Sequence, residues 1–119
     1  MMEQTASYDE VKAWQEGMSL AETVLRQTKE RPQEAEMLFR AIENDVISIP
    51  ASIAEGWVVR YSTKEIRVHL TNARSAMLRL ETHLMLAHRL DLLSREQMDL
   101  LWPMTQSTSG LVTALFKSL

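Results

Sequence analysis

Five basic side chains are the residues of this sequence whose type and spacing point most directly to chemistry with a partner. They are Arg60, Lys64, Arg67, Arg74 and Arg89. At about 100° per residue, the last four fall within about 80° of one another on one helix. Such a strip predicts contacts with nucleic acid phosphates, and several copies would add through effective concentration. We expect no aromatic interleaving for base stacking among these cations, so sequence-specific readout is not indicated. The alternative is a solvated helix face that happens to be rich in arginine.

The distribution of charge supports a distinct basic segment. The chain has a net charge of −3, but residues 1–59 carry 5 basic and 11 acidic side chains, a net of −6. Residues 60–95 carry 7 basic and 3 acidic side chains, a net of +4, and residues 96–119 carry −1. A basic segment inside an acidic chain is typical of an anion-binding face.

Catalytic and metal-binding patterns are missing from the sequence. All three histidines, His69, His83 and His88, fall on one predicted helix, and no Glu-x-x-His pair of the di-iron bundles occurs. The chain has no cysteine, no glycine-rich phosphate loop and no nucleophile elbow. We therefore expect no enzymatic activity, no metal, no cofactor and no small-molecule substrate.

Two acidic residues lie at the edge of apolar stretches and need partners there. They are Glu55, beside Gly56, and Glu81. The candidate donors are Arg40, Arg74 and Arg79. A structural ion pair is the favoured interpretation for both carboxylates, ahead of a functional acid.

Four helices must position these residues. Capping-box patterns at Ser7–Glu10, Ser62–Glu65 and Ser94–Gln97 predict three helix starts, and a fourth helix follows Pro32. The predicted helices run over residues 8–29, 33–60, 63–90 and 95–117. Short connections between long amphipathic helices favour an all-α, up-and-down antiparallel four-helix bundle. Pro50 and Pro103 fall inside helices 2 and 4, so we expect a kink near residues 46–50 and a kink or break after Trp102.

Apolar residues at helical spacing define the faces expected to point inward. In helix 1 they are Val11, Trp14, Met18, Ala21, Leu25 and Thr28. In helix 2 they are Leu38, Ile42, Val46, Ile49, Ile53 and Trp57, with a second stripe at Phe39, Ile47, Ala51, Ala54 and Val58. In helix 3 they are Ile66, Leu70, Ala73, Met77, Leu80, Leu84 and Ala87. In helix 4 they are Met98, Leu101, Thr105, Val112, Leu115 and Leu119. The apolar surface of helix 2 is too wide for one seam, which indicates a subunit interface unless helix 2 is simply the most central helix.

Length and composition limit the class of protein. The 119 residues fit one domain over residues 1–119, and 45% hydrophobic content argues against extensive disorder. No apolar run approaches the roughly 20 residues that cross a bilayer, and the first 30 residues show no secretory signal pattern. We expect a cytoplasmic protein without a membrane role.

The segment from Ser48 to Gly56 resembles the signature of a known family. This family of four-helix-bundle proteins is encoded in intervening sequences of 23S ribosomal RNA genes and is sometimes labelled a ribosomal-protein family. The residues that carry the resemblance are Ser48, Ile49, Pro50, Ile53, Ala54, Glu55 and Gly56, with Glu81 in helix 3 and residues 11–15 in helix 1. The sequence departs from the family pattern at Ser52, Ser75, Ala76 and Arg79.

The resemblance implies a homopentamer, similar in fold to nucleic-acid-binding accessory proteins of diversity-generating retroelements. It also implies that the motif in helix 2 is architectural, and the family's molecular function is poorly defined. Together with the charge pattern, it favours a non-enzymatic oligomeric protein that associates with structured RNA. The alternative is a protein-interaction scaffold with no nucleic-acid role, in which helix 2 or a ring cavity receives another protein.

Overall fold

The computed structural model describes residues 7–119, and these residues form four α-helices. Short 3₁₀ turns at Tyr8–Glu10 and Gln33–Ala35 precede the first two. The helices are α1 (Lys12–Gln27), α2 (Glu36–Val58), α3 (Thr63–Arg89) and α4 (Arg95–Lys117). No strand occurs within residues 7–119. The predicted all-α four-helix bundle is therefore confirmed.

The helices are arranged up and down, and each packs against two neighbours in the order α1, α2, α3, α4 and back to α1. Contacts between helices pair residues whose numbers rise on one helix and fall on the other. Asp45 of α2 contacts His83 of α3, and Glu55 further along α2 approaches His69. The Gln97 side chain at the start of α4 donates to Gln27 at the end of α1. Neighbouring helices are therefore antiparallel.

Two of the three predicted capping boxes start helices as expected. Ser94 accepts from the Gln97 amide, and the Gln97 side chain accepts from the Ser94 amide, which completes a capping box. Ser62 accepts from the amide of Glu65 at the start of α3. The prediction at Ser7 is wrong, because its hydroxyl donates to the Asp9 carboxylate and caps no backbone amide. A 3₁₀ turn forms there instead, and α1 begins at Lys12.

The core is formed by large apolar side chains from all four helices. Among those that are fully buried are Leu20, Phe39, Ile42, Ile49, Ile53, Ile66, Leu70, Leu80, Leu84 and Leu101. The stripe predicted for helix 3 is buried along its whole length. In α4, Leu101, Thr105 and Val112 are buried as predicted, whereas Leu119 is exposed.

The inward face predicted for helix 1 is partly wrong. Trp14 and Leu25 are half-buried and Met18 is exposed, while Leu20 and Val24 occupy the core. Helix 1 has two apolar stripes, and the buried one includes Gly17, where an added Cβ would lie 3.6 Å from Ile49 and Pro50. Small residues on this face let α2 approach closely, so packing selects it over the bulkier stripe.

Pro50 lies buried inside α2, and Pro103 lies inside α4. Both helices continue through their proline, so α4 does not break after Trp102. Each proline lacks the amide that would donate to the carbonyl four residues earlier. The kink at Pro50 stays a prediction. None of the helices of residues 7–119 is long and apolar enough to cross a membrane.

Candidate functional site

Two exposed charges of the basic strip, Lys64 and Arg67, lie on the first two turns of α3. Lys64 and Arg67 are exposed, and within residues 7–119 neither has a carboxylate within 4.0 Å. Lys64 and Arg67 lie three residues apart on one face, where like charges repel by about 0.2–0.5 kcal/mol. This end of α3 therefore presents cationic groups that the described part of the chain does not neutralise.

Arg74 belongs to the strip but is held against α4. Its guanidinium carbon lies 4.6 Å from the centroid of the Phe116 ring, and the side chain is half-buried. Arg guanidinium groups stack on aromatic rings while keeping their charge. Arg74 therefore lies on the side of α3 that is turned toward α4.

Arg60 is not free to act as a simple phosphate contact. Its guanidinium carbon lies 4.7 Å from the ring centroids of both Trp57 and Tyr61. Its Nη1 donates to the Trp57 carbonyl oxygen at 2.7 Å and its Nη2 donates to the Tyr61 hydroxyl at 3.2 Å. The expectation that no aromatic residue accompanies the cations is wrong, because Tyr61 is 81% exposed beside them.

Arg89 lies apart from the other basic residues. Fifteen residues of α3 separate it from Arg74, a distance of about 22 Å along the helix axis. The same arc carries exposed Leu78 and Met85 between them. Arg60, Lys64, Arg67 and Arg74 therefore form one group, which we call the cationic cluster, and Arg89 is not part of it.

An apolar groove lies between the outer faces of α1 and α2. Its volume is about 470 Å³, and one acidic residue, Glu22, stands among its lining residues. The apolar residues that line it are Tyr8, Trp14, Met18, Ala21, Leu25, Ile47, Pro50, Ala51 and Ala54. Most of these residues belong to the Trp14–Leu25 stripe of α1 or to the second stripe predicted for helix 2, which contributes Ile47, Ala51 and Ala54. Ile47 is 49% exposed. The wide apolar surface of helix 2 therefore does face both the core and the outside.

The motif in α2 packs the bundle together. Ile49, Pro50 and Ile53 are buried, and Ser48 donates from its hydroxyl to the Asp45 carbonyl oxygen at 2.8 Å. Gly56 is buried against α3, where an added Cβ would lie 3.1 Å from His69 Cβ. Ala54 is half-buried and lines the groove.

The arginine partners predicted for Glu55 and Glu81 are wrong. The exposed carboxylate of Glu55 lies 3.7 Å from His69 Nδ1, a buried atom that has no hydrogen-bond partner within residues 7–119. Glu81 is half-buried and has no ion pair within 4.0 Å among the described residues. Arg40 instead pairs with Glu36 one turn earlier, and Arg79 pairs across the bundle with Asp45.

Asp45 forms a buried polar link that the sequence analysis missed. It is 6% exposed, and its carboxylate accepts from Arg79 Nε at 3.1 Å and lies 2.6 Å from His83 Nδ1. These bonds join α2 to α3 and satisfy a carboxylate that would be costly to bury alone. The available signal was an aspartate on the inner side of helix 2, four residues before the stripe residue Ile49. Residues 7–119 contain no group of three or more His, Cys, Asp or Glu that could hold a metal ion.

The comparison with family models matches residues 9–114 to the family described as 23S rRNA-intervening sequence protein. The chain belongs to this family. The match covers α1, α2 and α3 and most of α4, and it includes both the motif in α2 and the cationic cluster, so the suspected resemblance is confirmed. No curated protein matches the chain. The name of the 23S rRNA-intervening sequence proteins refers to a position within ribosomal RNA genes.

Proposed function

We propose that this 23S rRNA-intervening sequence protein is a non-enzymatic homo-oligomer that associates with structured RNA through its cationic cluster. The observation that carries the proposal is the exposure of Lys64 and Arg67, which have no carboxylate partner among the described residues, in a chain whose net charge is −3. Phosphate groups would neutralise the repulsion between these side chains, and counterion release would favour the complex.

Oligomerisation is supported by large apolar side chains on two separate surfaces. One surface is the groove between α1 and α2. The other is the outer face at the far end of α3, with Leu78 (66% exposed), Met85, Leu86 and Leu90. A contact between two different surfaces is head-to-tail, and repeated head-to-tail contacts close into a ring when the rotation permits. This assembly would leave Lys64 and Arg67, on the first two turns of α3, accessible.

A ring would strengthen the association with RNA. The cluster of one subunit binds weakly, but clusters linked in one assembly act at a high effective concentration toward the same RNA. The resemblance noted in the sequence favours five subunits.

Titration of a labelled rRNA stem-loop at two salt concentrations tests the RNA proposal. We expect wild-type affinity to fall steeply with salt, and K64E/R67E to reduce the slope of log affinity against log salt by about 1.5–2. The control is K12E/K29E, which makes the same change in net charge on exposed residues of the α1 region. Equal effects of the two pairs would show that only overall charge matters and would reject the site.

The groove favours a second candidate function, a protein-interaction scaffold. In that case the apolar groove of about 470 Å³ receives an amphipathic helix of another protein. A stoichiometric protein partner that co-purifies without nucleic acid, and is lost in Ile47→Asp but kept in K64E/R67E, would support the scaffold over the RNA binder.

A further inference from the structure

The turn between α2 and α3 holds an exposed aromatic ring in a defined stack. Tyr61 lies in this four-residue connection and is 81% exposed. The Arg60 guanidinium carbon lies over both the Trp57 ring and the Tyr61 ring, 4.7 Å from each centroid. Its two hydrogen bonds, to the Trp57 carbonyl oxygen and the Tyr61 hydroxyl, fix it to both residues. The Tyr61 ring is therefore positioned at the surface by contacts within its own segment.

The backbone of this turn is also held in place. The Ser62 amide donates to the Val59 carbonyl oxygen at 3.0 Å, and the Ser62 hydroxyl accepts from the Glu65 amide. A ring that is already ordered loses little conformational entropy when a planar ligand stacks on it. Tyr61 therefore loses less conformational entropy on binding than an exposed tyrosine on a long mobile loop would.

Two cationic side chains follow Tyr61 along the start of α3. Lys64 follows Tyr61 by three residues, and Arg67 lies one turn further along the same face of α3, about 4.5 Å along the axis. Glu65 points about 100° away from Lys64 around the helix, so the Glu65 carboxylate does not lie between Lys64 and Arg67. An aromatic platform followed by unpaired cations is the combination used to bind single-stranded nucleic acid.

We propose that Tyr61 stacks on an unpaired base of the RNA while Lys64 and Arg67 contact the adjoining phosphates. This inference rests on the proposed function and names the part of the RNA that the cluster recognises. A base inside an A-form duplex exposes no face to a side chain, so the ligand is a nucleotide in a loop, a bulge or an end. Stacking tolerates any base, because every base has a π-face.

Two RNA hairpins with the same stem and the same number of phosphates test the proposal. One has a loop of four adenosines, and the other has a loop of four abasic nucleotides. The variants of the full chain are Tyr61→Ala and Tyr61→Phe, with K64E/R67E for the phosphate contacts. Because Tyr61 is largely exposed, its replacement leaves the core intact, and thermal unfolding by circular dichroism checks this.

We expect Tyr61→Ala to weaken binding of the adenosine loop about 5- to 150-fold and to leave the abasic loop unchanged. Tyr61→Phe keeps the ring and should bind both hairpins nearly as wild type does, whereas K64E/R67E should weaken both. An equal effect of Tyr61→Ala on the two loops, or no effect on either, would overturn the stacking site while the phosphate contacts stand. Failure of the wild-type protein to bind either hairpin would reject the proposed function together with this site.

Discussion

Single residues decide how closely the helices of this bundle approach. Gly56 of α2 is buried beside α3, and an added Cβ would lie 3.1 Å from His69 Cβ and 3.4 Å from Ile66 Cγ1. His69 Cβ is attached to the backbone of α3, so it cannot move unless the helix moves. Gly110 of α4 is also helical, but an added Cβ there would meet no atom within 4 Å. Both glycines therefore have the same low helix propensity, but only Gly56 is closely packed against another helix.

We expect Gly110→Ala to raise the free energy of unfolding by about 0.5–1 kcal/mol, because alanine is the better helix former. Gly56→Ala gains the same propensity but overpacks the α2–α3 contact, which costs about 1–3 kcal/mol. Urea unfolding of both variants at one protein concentration measures the difference. If Gly56→Ala were as stable as Gly110→Ala, the close contact would not require glycine.

The connection between α1 and α2 depends on a charged network. Arg31 donates to both carboxylate oxygens of Glu36, at 3.1 and 3.2 Å, and also to Glu43. Hydrogen bonds from Arg31 and then Arg40 lower the pKa of Glu36 from 4.5 to about 2. The same contacts raise the pKa of Arg31 above its usual value, with Glu36 contributing most. This network fixes the start of α2, which has no side-chain cap.

A lowered carboxyl pKa makes this link sensitive to acid. Its stabilisation is fully present above pH 4.5 and is lost as the pH falls toward about 2, because the unfolded chain takes up the proton first. We expect wild type to melt at a higher temperature than Glu36→Gln above pH 4.5, and the difference to vanish near pH 2. Melting temperatures from pH 2 to 6 measure it. The exposed neighbour variant Glu34→Gln is the control, and a similar pH-dependent difference there would contradict the assignment.

At the scale of the whole molecule, apolar surface is distributed unevenly. The groove between α1 and α2 exposes aromatic and aliphatic side chains together, whereas scattered apolar residues elsewhere are normal for a folded protein. The acidic half of the chain carries this groove and the basic half carries the far patch of α3. Opposite charges around two apolar surfaces favour contact between different faces of successive subunits over contact between identical faces.

We expect Ile47→Asp to dissociate the assembly, because it places a carboxylate in the apolar groove. Met37→Asp changes an 85% exposed residue outside the groove and should leave the assembly intact. Sedimentation equilibrium over a range of concentrations measures the subunit number of wild type and both variants. A wild-type monomer at all concentrations would reject the interface, as would an Ile47→Asp protein that keeps the wild-type subunit number.

Local patterns along the chain were sufficient to predict the fold class, the four helices and most of the core. Helical spacing and local capping are encoded within a few residues, so Ser94 and the inward face of α3 could be identified without tertiary information. The family motif was also readable from the chain, and the match over residues 9–114 confirms it.

Packing between the helices selects among alternatives that local patterns leave equal. Helix 1 has two apolar stripes, and close packing of Gly17 against α2 selected the one that leaves Trp14 and Met18 at the groove. The partners of Asp45 lie 34 and 38 residues away, on Arg79 and His83, and no local spacing predicts such pairs. Tyr61 follows Arg60 directly in the sequence, but its exposure and its contact with the Arg60 guanidinium depend on how the chain folds at this turn.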